Sequence, residues 1–90
     1  MPDGKEEKNE KRGLALASLL LALGKLCVHC ELWGKAQNYL EASLSVEPGY
    51  PAHLALAKLN EKLDRPELAK DHYGKGLELA LRRLDAQEQA

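Results

Sequence analysis

The strongest constraint on the fold is an internal repeat. When the chain is shifted against itself so that Leu21 aligns with Leu54, seven pairs match without a gap: Leu21/Leu54, Ala22/Ala55, Leu23/Leu56, Lys25/Lys58, Leu26/Leu59, Ala36/Ala69 and Leu44/Leu77. The repeat is 33 residues long, and each unit contains two apolar stretches with helical spacing. Such a repeat is typical of a helical solenoid whose units stack on one another. The sequence therefore predicts an all-α fold of two helix-turn-helix repeats.

Composition and charge agree with this prediction. Leucine and alanine are abundant, and the chain has no Ile, Thr or Phe. Unbranched side chains lose little freedom on a helix, whereas β-branched side chains favour strands, so all-β and α/β folds are disfavoured. Lys and Arg number 13 against 14 Asp and Glu. Because the basic excess of a phosphate-binding protein is missing, we expect no nucleic-acid partner.

Four helices follow from the apolar spacing and the stop signals. We expect them at about Gly13 to His29, Leu32 to Val46, from Pro51 onward, and from Pro66 to about Asp85. Their spacing predicts core positions that include Leu16, Leu20, Leu23 and Cys27 in the first helix. The predicted organisation is a polar N-terminal tail (1–12), a helical domain (13–85) with repeats at about 17–49 and 50–82, and a C-terminal tail (86–90).

The apolar stretch from Leu14 to Leu23 raises the question of a membrane segment. Its ten residues are fewer than the roughly 20 that cross a bilayer. The acidic residues before it do not fit a signal peptide. We therefore expect a core helix and no direct membrane insertion by this chain.

The repeats resemble the tetratricopeptide repeat (TPR) over about residues 17–82. Leu23-Gly24, Ala36 and Pro48 occupy family positions in the first unit, and Leu56-Ala57, Ala69 and Tyr73 do so in the second. Cys27, His53 and Asn60 depart from the family pattern. The resemblance implies a TPR-like α-α superhelix of two hairpins, with an extended C-terminal helix, that binds proteins and is not an enzyme.

A narrower resemblance involves the runs Leu23-Gly24-Lys25-Leu26-Cys27, Leu32-Trp33-Gly34-Lys35-Ala36 and Tyr39-Leu40-Glu41-Ala42-Ser43-Leu44. They are similar to the C-terminal repeats of HemY-like proteins, which are bacterial inner-membrane proteins associated with protohaem biosynthesis. This resemblance implies that the chain is the soluble C-terminal part of such a protein. The chain would then be located at the bacterial inner membrane. The Cys-Pro pair that is often linked with haem regulation is absent from the sequence.

The TPR register also predicts a binding groove, because the first helix of each pair lines the concave side. The predicted groove residues are Ser18, Leu21, Ala22, Lys25 and His29 in the first unit, and Leu54, Ala55, Lys58 and Lys62 in the second. Small and apolar residues with lysines at the rim suit an extended or helical peptide of acidic character. The alternative interpretation is that the two lysines only keep the helix surfaces soluble.

The sequence also fits two other functions. Cys27, His29 and Cys30 suggest a metal- or haem-responsive domain, although a structural zinc site needs four ligands and we expect no cofactor. A structural dimerisation unit is the other alternative, because two repeats leave open ends that a second copy of the chain would cover. No glycine-rich phosphate loop, Ser/His/Asp set or His-Glu-x-x-His motif indicates an enzyme.

Overall fold

The computed structural model describes residues 4–89 and contains four α-helices. They are α1 (Gly4–His29), α2 (Trp33–Val46), α3 (Tyr50–Lys62) and α4 (Pro66–Gln89). Helix α1 packs against α2, and α3 packs against α4, so each sequence repeat is a helical hairpin. The two hairpins are compact units, Met1–Pro48 and Gly49–Ala90. The all-α class is confirmed, and no strand occurs between residues 4 and 89.

Two helices are longer than the apolar pattern indicated. Helix α1 begins at Gly4, so most of the sequence assigned to a polar tail is helical, and α4 continues to Gln89. Lys, Glu and Gln have good helix propensity, and both extensions lack internal proline, so the helices propagate beyond their apolar segments. The first three residues and the last residue of the predicted tails lie outside the described range.

The turn inside each hairpin repeats in backbone conformation. Glu31 (φ 60°) and Asp64 (φ 57°) occupy the same repeat position, and both adopt the left-handed conformation. In each turn the next residue donates its amide N–H over 2.8 Å to a carbonyl five residues back (Leu32 to Cys27, Arg65 to Asn60). This is the Schellman arrangement that ends a helix by satisfying its last carbonyls. The sequence repeat is therefore also a repeat of backbone structure.

Small residues allow the helices of each hairpin to approach closely. A Cβ atom built on Gly24 of α1 would lie 2.5 Å from Leu40 Cδ2 and 3.3 Å from the Leu40 backbone nitrogen of α2. Leu40 is fully buried, so its side chain has little space into which to move. Ala57, which occupies the equivalent position in α3, is also fully buried.

A second contact repeats at the other end of the helix crossing. Ser43 of α2 donates a buried 2.8 Å hydrogen bond from its hydroxyl to the Ala17 carbonyl of α1. In the second hairpin Gly76 takes the place of Ser43, and a Cβ atom there would lie 3.6 Å from the Tyr50 carbonyl. Since Tyr50 is equivalent to Ala17, the helices of both hairpins approach each other at the same repeat positions.

Helix α1 also has the length and composition of a membrane span. The segment that meets these criteria is Asn9–His29, which has 21 residues and is longer than the ten-residue stretch considered from the sequence. Core helices of soluble proteins and N-terminal signal sequences meet the same criteria. The property alone therefore does not place α1 in a bilayer, and the expectation of no membrane insertion stays a prediction.

The close approach at Gly24 leads to a stability prediction. Gly24→Ala should destabilise the protein by about 1–3 kcal/mol, because the new methyl group overlaps the enclosed Leu40 side chain. Gly13→Ala is the matched control, since a Cβ atom at Gly13 meets nothing within 4 Å. That control should stabilise α1 by about 0.5–1 kcal/mol. Urea unfolding followed by circular dichroism measures both changes, and equal stability of the two variants would contradict the close packing.

Candidate functional site

The predicted groove residues of the first unit lie on one face of α1. Ser18, Ala22, Lys25 and His29 are exposed, and Leu21 is half-buried. Their spacing of three and four residues places them on one side of a helix. This side is therefore accessible, and it combines small residues with one lysine.

The corresponding face of α3 is accessible but more apolar. Lys58 and Lys62 are exposed, Leu54 is 38% exposed, and Ala55 is buried at 8%. Lys25 and Lys58 stand at the same repeat position, and both side chains reach solvent. Each hairpin thus presents one equivalent lysine beside small or apolar residues.

A leucine stripe on α1 is exposed where the sequence predicted core. Leu16, Leu19, Leu23 and Leu26 have relative exposures between 41% and 63%. The expected burial of Leu16 and Leu23 is therefore wrong, whereas Cys27 is buried and Leu20 is half-buried. The physical reason is that α1 is covered by α2 along one side only, while its leucines are distributed around much of the helix.

The positions of α3 that are equivalent to this leucine stripe are buried. Ala52, Leu56 and Leu59 correspond to Leu19, Leu23 and Leu26, and their exposures are 3%, 1% and 0%. The same repeat positions are therefore a packing surface in α3 and a solvent-facing surface in α1. Sequence reasoning missed this difference, because the leucines themselves are identical at two of the three positions.

The cysteine-containing segment does not form a ligand set. Cys27 is buried, and Cys30 is exposed just beyond the end of α1. His29 is also exposed. Across the described part of the chain, no group of three or more His, Cys, Asp or Glu residues could hold a metal ion. The geometry therefore gives the metal or haem interpretation no support.

Two histidines that looked isolated in the sequence meet between α3 and α4. His53 Nδ1 and His72 Nδ1 are 3.0 Å apart, and both side chains are half-buried. The ring centroids are 5.3 Å apart, which is close to the greatest separation that two rings with this Nδ1 contact can have. The two Nδ1 corners therefore point at each other. No local motif reveals this pair, because its members are 19 residues apart on different helices.

The electrostatic surroundings of this pair make a positive charge on His53 unfavourable. Burial lowers the pKa of His53, a positive charge on His72 or on Lys75 lowers it further, and Asp71 acts in the opposite direction. Asp71 pairs with Lys75 at 3.0 Å, and the hydrogen bond from Lys75 lowers the pKa of Asp71. All of these groups belong to the second hairpin.

A second polar contact joins α3 to α4 beside the histidine pair. Burial raises the pKa of Tyr73, and a hydrogen bond from Tyr73 to the Glu61 carboxylate raises it further. Next to it lies a largely apolar pocket of about 230 Å³. Its lining consists of Tyr50, Leu54, His72, Tyr73, Gly76, Leu77 and Ala80. The second hairpin therefore combines polar contacts between α3 and α4 with a small apolar pocket.

Comparisons with known proteins do not assign the chain to a family. No family model matches it, and neither the curated proteins nor the solved structures contain a match. The similarities to tetratricopeptide repeats and to HemY-like proteins are therefore a basis for proposals.

The burial of the two cysteines predicts different thiol reactivity. Cys30 should react with Ellman's reagent in the folded protein, whereas Cys27 should react only on unfolding, because access to its sulfur is blocked by packing. Cys30→Ser should remove the fast reaction and Cys27→Ser should not. Protection of both thiols by added Zn²⁺ would contradict the absence of a joint ligand set.

Proposed function

We propose that the chain is a non-enzymatic protein-interaction module of the tetratricopeptide type. In this proposal its two hairpins stack as a superhelix, and the exposed faces of α1 and α3 line a groove that binds a protein segment. The observation that carries the proposal is the repeated hairpin, in which sequence identity, turn conformation and helix crossing all recur from the first unit to the second. Stacked helix pairs of this kind form extended concave binding surfaces.

The chemistry of the exposed faces supports an acidic peptide as the bound segment. Lys25 and Lys58 are exposed at equivalent positions, and Lys62 and His29 add further nitrogen groups to the same faces. Leu54, Ala22 and Ser18 supply accessible surface of small or apolar character. A peptide with carboxylates spaced for the two lysines and small apolar contacts between them would complement these faces.

The similarity around Trp33 supports a more specific proposal. Trp33 begins α2 and is half-buried, and Gly34, Lys35 and Ala36 follow it as in the runs described above. On this basis the chain is the soluble C-terminal part of a HemY-like protein associated with protohaem biosynthesis. The chain would then be located at the bacterial inner membrane.

Charge reversal tests the groove. Lys25→Glu with Lys58→Glu should reduce affinity for acidic peptides at least about tenfold, because attraction to the peptide carboxylates becomes repulsion. The peptides are selected from a random-sequence display library on the wild-type protein, and fluorescence anisotropy measures their affinity at low and at physiological salt.

Lys35→Glu with Lys70→Glu is the matched control for this experiment. It changes the net charge by the same amount on exposed residues of the second helices, α2 and α4. The control should retain the affinity of the wild type. An equal loss in both double variants, or a selection without enrichment of Asp and Glu, would contradict the groove.

The exposed leucine stripe of α1 favours dimerisation as a second candidate function. Leu16, Leu19, Leu23 and Leu26 are spaced by three, four and three residues, which is the spacing of a coiled-coil seam. The equivalent residues of α3 are buried. A second copy of the chain that covers this stripe would give α1 the packing that α3 has, and would close one open end of a two-repeat stack.

Sedimentation velocity tests this candidate function. The wild-type protein should show a concentration-dependent dimer, and Leu19→Glu with Leu26→Glu should be monomeric, because charges cannot be buried unpaired in an apolar contact. Leu32→Glu with Leu68→Glu is the matched control, since both of these leucines are exposed outside the stripe. It should remain dimeric, as should the Lys25/Lys58 double variant.

Two results would speak against dimerisation through the stripe. A wild-type monomer at high concentration removes it directly. Flotation of the wild-type protein with phospholipid vesicles, lost in the Leu19/Leu26 double variant, would instead show that the stripe meets lipid, and would contradict the expectation of no membrane insertion.

A further inference from the structure

The His53–His72 contact has the geometry of a hydrogen bond with one proton between two rings. A neutral imidazole carries one N–H donor and one acceptor nitrogen, whereas an imidazolium has donors on both nitrogens. The two Nδ1 atoms face each other at 3.0 Å. One ring must therefore donate from Nδ1 while the other accepts, and a proton on both Nδ1 atoms would place two donors against each other.

We propose that this pair is an acid-sensitive latch between α3 and α4. The latch is closed while the two rings hold one proton between their Nδ1 atoms. A first added proton can bind the free Nε2 of the donating ring, and this leaves the hydrogen bond between the two Nδ1 atoms in place. A second added proton must bind the accepting Nδ1, so that two N–H donors and two positive charges face each other and the rings are forced apart. The ligand of the latch is thus the proton, and the element that it controls is the second hairpin.

Comparison of the two hairpins supports a role beyond packing. The positions equivalent to His53 and His72 in the first hairpin are Leu20 and Tyr39, and both are half-buried. The first hairpin therefore packs at these two positions without a pair of imidazoles. The histidines add sensitivity to pH near neutrality that leucine and tyrosine lack.

The groups around the pair oppose a second proton more than they favour it. His72 and Lys75 disfavour a positive charge on His53, and Asp71, which favours one, is already paired with Lys75. All three residues lie on α4, the helix packed against α3. Burial of the His53 ring acts in the same direction as the two cations.

Separation of the two charged rings changes the packing between α3 and α4. The backbones are close at this level, since a Cβ atom on Gly76 would lie 3.4 Å from His53 Cβ. The rings can separate only by rotation of a side chain or by opening of the two helices. Because His72 lines the apolar pocket, rotation of the His72 ring or opening of the two helices alters the pocket.

The sign of the pH dependence follows from linkage. The folded-state pKa of His53 lies below the unfolded value of 6.5, so the unfolded chain binds more protons as the pH falls. The contribution of His53 to the free energy of unfolding is complete above pH 6.5. It decreases as the pH is lowered through 6.5, and it is lost below the folded-state pKa of His53. The two rings titrate as a coupled pair.

The tautomers of the wild-type protein provide the direct test. Long-range ¹H–¹⁵N spectra at pH 8 should show one of the two rings protonated on Nδ1 and the other on Nε2. On acidification the ring protonated on Nδ1 should become charged first and the other ring second, in two coupled steps, and the Gly76 amide should shift with the second step. If both rings carry their proton on Nε2 at pH 8, or if they titrate independently, the latch is overturned.

A double-mutant cycle supplies an energetic test. His53→Asn, His72→Gln and the double variant are unfolded in urea at pH 8 and at the acid end of the NMR titration, where both rings are charged. The coupling at pH 8 should be favourable, at about two- to tenfold in the unfolding equilibrium constant, as expected for one hydrogen bond. At the acid end of the titration it should vanish or reverse. His29→Gln, in the other hairpin, should leave the coupling unchanged, and equal coupling at both pH values would overturn the latch.

Discussion

The close approach of two helices at small residues is the contact on which each hairpin depends. At Gly24 the α1 backbone lies so near Leu40 that even a methyl group would overlap the leucine side chain. The fully buried Ala57 holds the same place in α3. Close approach lets the neighbouring apolar side chains pack at interior density, and that packing, more than helix propensity, stabilises helices of 13 or 14 residues such as α2 and α3.

The packing of the two helices in each hairpin also determines which residues stay exposed and available for binding. Because the second helix of each hairpin covers one side of the first helix, the side that carries Lys25 in α1 and Lys58 in α3 stays in solvent. The proposed peptide groove uses these equivalent faces. The leucine stripe of α1 is a different surface, and its burial in α3 but not in α1 is the basis of the dimerisation proposal.

The two hairpins show how one backbone design accommodates different chemistry. Both end their first helix at a left-handed residue, and both cross at equivalent positions. Around that shared frame, the buried hydroxyl of Ser43 is replaced by Gly76, and Leu20 and Tyr39 are replaced by the histidine pair. Proton sensitivity can therefore be confined to the second hairpin without a change in its framework.

Local sequence signals are enough to predict the helical class, the number of helices and the internal repeat, because apolar spacing and proline or glycine stops are local properties. They also locate the helix boundaries near His29, Val46 and Pro66. They do not determine which leucines are buried, since Leu23 and Leu56 are the same residue in the same register and differ only in what covers them. Nor can they pair His53 with His72, because a contact across 19 residues exists only once α3 and α4 have packed.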